Sequence, residues 1–149
     1  MKNKGFTLVE LVAVIAILGI IALIATPNIL KLISDGKKEQ FVTDAKEMIS
    51  KTKYYFKQER YSSLFTNEDG CKVITATKVG FEKKENADGD LYDLTNSKVK
   101  VCLSGDTYIY YVVTISSKKD STKGRGIFDK NTVGGYVKEK NLSIDYVHW

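Results

Sequence analysis

Four groups of residues have the types and spacing that chemistry needs. Ser143, Asp145 and His148 hold the side chains of an acyl-transfer triad. Residues 86–93 (NADGDLYD) gather Asp88, Asp90 and Asp93. Cys71 and Cys102 are the two cysteines, and Glu10 is a lone carboxylate inside an apolar run over residues 6–25. A working triad needs an oxyanion site and a base oriented by a third group. Here all three candidates crowd one short stretch, with His148 next to the last residue, so no enzymatic activity is expected. An EF-hand requires Gly at loop position 6 and a bidentate Glu at position 12. With Asn86 as position 1, those places hold Leu91 and Ser97. That excludes an EF-hand and leaves open only some other calcium geometry. The two cysteines form no CxxC and His148 is the single histidine, too few soft ligands for zinc; no metal and no cofactor are expected. If the C-terminal part lies outside the membrane, the cysteines read as one disulfide closing a loop of about 30 residues, worth roughly 3–4 kcal/mol. Otherwise they are two small buried hydrophobes. The stretch KGRG (123–126) lacks the spacing of a phosphate loop and reads as a surface turn.

Glu10 carries the most information. An acid in the middle of a membrane costs about 2.5–3.5 kcal/mol even on permissive scales. Near the end of a span the cost is lower, but a partner is still needed, and no Lys, Arg or His lies nearby on the same helix. Gly5 stands just before the apolar run. A residue without a side chain and with a flexible backbone suits the approach of a protease. A cut after Gly5 would leave the whole apolar helix on the product and create a cation, the α-amine of Phe6. Glu10 and that amine sit about one turn apart in one helix, so a pair between staggered neighbours is the natural arrangement. The other reading is an interfacial acid that reaches to water.

The elements around these residues follow from composition. The formal net charge is +5, with Lys2 and Lys4 in the leader, and 21 basic against 18 acidic residues remain without it. Basic and acidic residues alternate, as in KKEQFVTDAKE, which does not suggest a nucleic-acid-binding protein. Residues 6–25 are long enough to cross a bilayer as a helix. Lys2 and Lys4 before them place the N-terminus in the cytoplasm. Gly19 weakens helix propensity, Pro27 interrupts the helix backbone and Asp35-Gly36 is a further weak point. Phe41, Ala45, Met48, Ile49, Thr52, Tyr55 and Phe56 then form one helical stripe, opposite Asp44, Lys46, Glu47, Lys51 and Lys57. The expected helix runs from Phe6 to about Glu59. From Tyr61 turn-rich stretches separate β-prone runs at 72–79, 98–103 and 107–116, with weaker ones at 136–140 and 142–149. TYIYYVVTIS (107–116) is apolar on both faces, as a central strand is. The tyrosines at 54, 55, 108, 110 and 111 are expected mainly in helix-to-sheet packing, with an adhesive or subunit-contact surface as the alternative. The fold class is α+β: a leader 1–5, a long helix 6–59 whose 6–27 half serves membrane or fibre, and a β-rich head 60–149 with a small antiparallel sheet.

The segment KGFTLVELVAVIAILGIIALIATP resembles the N-terminal signature of type IV pilins and of the related secretion and competence pseudopilins. The resemblance is strong over about 25 residues and looser to about Glu59. It implies that Gly5 is the cleavage residue for a prepilin peptidase, Phe6 the methylated N-terminus, Glu10 the assembly residue, and Gly19 and Pro27 the limits of a region that loosens in the filament. It also implies a single-pass precursor in the cytoplasmic membrane, an inner-membrane assembly platform as partner, and a homo-oligomeric extracellular filament for adhesion, motility or biofilm formation. Any host or surface ligand stays unidentified. One departure is that Cys102 lies 47 residues before the C-terminus, unlike the terminal disulfide loop of many Gram-negative pilins. The short basic leader and Lys-rich chain look like pilins of Gram-positive bacteria. The alternatives are a pseudopilin of a type II secretion or competence DNA-uptake system and, from another class, a membrane-tethered binding or enzymatic domain.

Overall fold

The computed structural model describes residues 5–58, 70–81, 85, 89–116 and 125–148. Lys2, Lys4, Glu59, Asp88 and the first half of KGRG lie outside the described residues. The chain forms two compact units, Met1–Gly36 and Lys37–Trp149.

Helix α1 (Leu8–Gln58) contributes to both units. Its first part is built from Leu, Ala, Val and Ile. The β-branched members are mediocre helix formers in water. In an apolar medium the helix is favoured regardless, because every backbone group must find its partner inside the segment. Helical structure continues through Gly19, Pro27 and Gly36, so the interruption expected at Pro27 does not occur, and the weak point at Asp35-Gly36 is helical. Pro27 removes only one N–H. The polar side chains beside it add bonds at the same level: Thr26 Oγ1 donates to the Ala22 carbonyl at 2.6 Å and Asn28 Nδ2 to the Ile24 carbonyl at 3.3 Å.

The second unit is an antiparallel sheet with the later turns of α1 in its core. Strands β1 (Cys71–Thr75), β2 (Lys98–Ser104) and β3 (Thr107–Ser116) pair in order. The other edge of β3 pairs with β5 (Val137–Lys138) and β4 (Arg125–Ile127), and β4 pairs with β6 (Val147–His148). Phe41, Ala45, Met48, Ile49 and Thr52 of the predicted stripe are at most 1% exposed. They share the core with Val99, Val101, Val112, Ile127 and Val137. Tyr55 and Phe56 at the end of the stripe are half-buried.

Four expectations need correction. The run 72–79 is a strand only to Thr75. Ala76 N–H already donates to the Ser97 carbonyl, and beyond Lys98, the partner of Thr75, β2 offers no further ladder, so Ala76–Val79 coils into a 3₁₀ turn closed by left-handed Gly80. The runs 136–140 and 142–149 shrink to two-residue strands separated by 3₁₀ turns. Arg125–Ile127, the end of the supposed KGRG turn, is a strand between β3 and β6. Asp44, expected on the face opposite the stripe, is 2% exposed, because Tyr92 covers that flank of the helix and donates its hydroxyl to Asp44 Oδ2 at 2.9 Å.

Strand β3 is central, as its sequence requires. Val112, Val113 and Thr114 are buried in succession, so both faces are covered. Gly135 closes the outer face. Its φ is +71°, and a Cβ there would stand 3.7 Å from Val113 Cγ2 and 3.2 Å from Phe128 Cβ.

Candidate assembly and processing segment

Gly5 and Phe6 precede the helix and are exposed, Phe6 at 88%. Nothing lies within 4 Å of a Cβ placed on Gly5. Among the described residues, nothing crowds the junction between them. The helix begins at Leu8 because Thr7 caps it. Glu10 N–H donates to Thr7 Oγ1 at 3.3 Å, while Thr7 N–H and Thr7 Oγ1 both donate to Glu10 Oε2 at 2.8 Å. This is a capping box, in which two orphan N–H groups are satisfied reciprocally. Thr7-Leu-Val-Glu10 has the required spacing. The reading of Glu10 as an acid still lacking a partner in its own chain missed this signal, which was legible in the sequence. The box uses only residues from Thr7 onward, so a cut before Phe6 leaves it intact. Glu10 also accepts from the backbone N–H of Thr7, the residue after Phe6.

From Phe6 to Ile33, seventeen large apolar side chains are each at least half exposed. They surround the helix on all sides. Gly19 adds no bulk, and nothing lies within 4 Å of a Cβ placed there.

The remaining candidates resolve into structural roles. Cys71 and Cys102 form a disulfide and are direct cross-strand partners of β1 and β2. Asp93 opens the turn at residues 94–96. Its Oδ1 accepts from the N–H groups of Thr95 and Asn96 at 3.0 Å, and its Oδ2 accepts from Asn96 Nδ2 at 2.7 Å. Partial burial alone would raise the Asp93 carboxyl, but these bonds and nearby Lys98 outweigh it and hold the group below its ordinary range. Burial, reinforced by the Asp44 carboxyl, pushes the Tyr92 phenol far above its usual value. Among the described residues no cluster of three or more His, Cys, Asp or Glu is placed to hold a metal. Ser143 Oγ bonds Asp145 at 3.0 Å, but His148 turns away from both. Its Nε2 lies 3.0 Å from the Phe128 carbonyl, and its ring packs on Phe128 at 4.2 Å. The three triad candidates are not brought together.

Residues 1–26 match the prokaryotic N-terminal methylation motif. The chain is similar to the type IV major pilin protein PilA of Myxococcus xanthus (strain DK1622), at 31% identity over 112 residues. Those residues make up 72% of this chain and 51% of the relative, so the chain spans about half the length of the curated relative it matches. No solved structure matches it. The methylation motif, the likeness to a major pilin, and an α+β fold of one long N-terminal helix with an antiparallel sheet together support a type IV pilin.

Proposed function

We propose that the chain is the structural subunit of a type IV pilus. The observation that carries this reading is the apolar first part of α1, with sixteen large side chains in the open besides Phe6 just before it. Burying one Leu, Ile or Val side chain is worth about 1.5–3 kcal/mol, so such a surface requires a bilayer or other copies of itself. In this reading residues 1–5 are a leader, 6–59 the long helix and 60–149 the head. The precursor is held in the cytoplasmic membrane by residues 6–27, with its N-terminus inside. A prepilin peptidase cuts between Gly5 and Phe6, and Phe6 is methylated. An inner-membrane assembly platform then moves the subunit into the fibre. There Glu10 neutralises the Phe6 amine of a neighbour and fixes the axial register. The stretch between Gly19 and Pro27 loosens as the helices pack. The filament serves adhesion, motility or biofilm formation.

The similarity to a major pilin gives the pseudopilin alternative no support. Mass spectrometry of the mature N-terminus tests the proposal. The expected species begins with N-methylated Phe6, and electron microscopy of the cell surface shows long fibres containing the chain. An intact Met1 on the mature protein would sink the reading.

A further inference from the structure

The head carries a cleft of about 420 Å³, within the size range of small-molecule sites. It lies between the outer face of the sheet and the turn at residues 129–136. Cys71, Cys102 and Tyr111 belong to the sheet side, Thr132, Val133 and Tyr136 to the turn, and Lys100 supplies a charge. Among the described residues no carboxylate lines it.

The register explains its electrostatics. Lys100 on β2, Tyr111 on β3 and Lys138 on β5 are successive cross-strand partners, so they share one face as a single row. Lysines one strand to either side of the tyrosine lie roughly 9–10 Å apart at their backbones. The Lys138 ammonium sits 5.9 Å from the centre of the Tyr111 ring. Lys100 makes no ion pair among the described residues. Two cations flanking an aromatic ring, beside a cleft that no described residue lines with an acid, form a positive site. The aromatic rings offer flat apolar faces, and the Thr132 and tyrosine hydroxyls offer hydrogen bonds.

We propose that this cleft binds an acidic sugar unit, a uronate residue of a polysaccharide, with its carboxylate held by Lys100 and Lys138 and its C–H face against Tyr111. A single-stranded nucleic acid fits less well. It needs a groove of cations tracking several phosphates and successive stacking platforms, and here the cations flank a single ring. The proposal goes beyond assembly, because it concerns a site on the head and not the helix.

The test uses purified filaments, or the full chain in detergent, with oligogalacturonate as the probe. A neutral malto-oligosaccharide and a poly-dT oligonucleotide serve as comparisons. Oligogalacturonate is expected to bind, more weakly as salt rises, and the neutral chain at least about tenfold more weakly, a difference near 1.4 kcal/mol. Lys100→Gln, Lys138→Gln and Tyr111→Leu should each weaken binding about fivefold or more. Lys78→Gln, on the exposed 3₁₀ turn, should not. Thermal unfolding of each variant establishes that the head is folded. Equal binding by the cleft variants and wild type would overturn the proposal, as would equal binding of the neutral chain or no binding at all. Tighter binding of poly-dT, lost in the same variants, would replace it with a nucleic-acid site.

Discussion

The two parts of helix α1 obey the same local geometry and meet opposite fates. Leu11, Ile15 and Leu18 are about 60% exposed, whereas Phe41, Met48 and Ile49 are at most 1% exposed. The difference lies in what the rest of each turn carries. Residues 37–58 present an apolar stripe with Lys46, Lys51 and Lys57 elsewhere on the helix, so one sheet can satisfy them. Residues 8–26 are apolar all round apart from Glu10 and Thr26, and a helix of that kind needs apolar surroundings on every side. A single chain cannot supply them. The first part is therefore specified by what it will join, and the second by its own core.

The sharpest way to break this comparison is at Glu10. Glu10→Val should leave membrane insertion intact and abolish filaments, measured as the yield of sheared fibres. Glu10→Gln keeps an acceptor for Thr7 and removes the charge. It should reduce fibre yield nearly as far as Val does. If Gln restores normal yield, Glu10 acts as a helix cap and its charge does not set the register.

A paired truncation compares the two environments directly. Phe41→Ala should cost the head about 3–5 kcal/mol, read by denaturant unfolding of the detergent-solubilised full chain. Ile17→Ala should leave that transition within about 0.5 kcal/mol and instead lower the temperature at which filaments dissociate. Equal destabilisation of the head by both variants would remove the distinction.

The disulfide belongs wholly to the head. Replacing Cys71 and Cys102 together with Ser should lower head stability by roughly 3 kcal/mol, because the open chain regains the freedom of a loop of about 30 residues. Insertion of the N-terminal segment should be unchanged. Unaltered unfolding of the double variant would show that the sheet ladder alone holds β1 to β2.

Much of this organisation was legible in the residues, for identifiable reasons. Long periodic signals survive folding, so the stripe from Phe41 to Thr52 and the doubly apolar β3 read correctly. The short strands did not. Val137–Lys138 and Val147–His148 are two residues each, and their strand character comes from β3 and β4 beside them and not from any local pattern. Arg125–Ile127 was hidden behind two glycines that also fit a turn. The Thr7–Glu10 capping box is legible in the Thr-x-x-Glu spacing, although the charge of Glu10 in an apolar run is the more prominent feature. Asp44 was illegible, because a carboxylate among lysines reads as solvated until the chain around Tyr92 is seen to cover it.

The Asp44–Tyr92 bond gives the smallest effect and the most selective one. Tyr92→Phe removes the phenol and should cost about 1–3 kcal/mol, typical for losing a partner of a buried polar group. It also changes the pH dependence. The phenol titrates near 10 in the unfolded chain and higher in the folded one. The folded state therefore holds its proton more tightly, and this contribution is complete below about pH 10 and is lost as pH rises above that value. Head stability should fall between about pH 10 and 11.5 in the wild type, and less steeply in Tyr92→Phe. Between Phe6 and Leu30 the helix carries no group that titrates in that range. Its helical signal in lipid should stay constant over the same interval, so a matching alkaline loss there would mean that the two parts do not unfold independently.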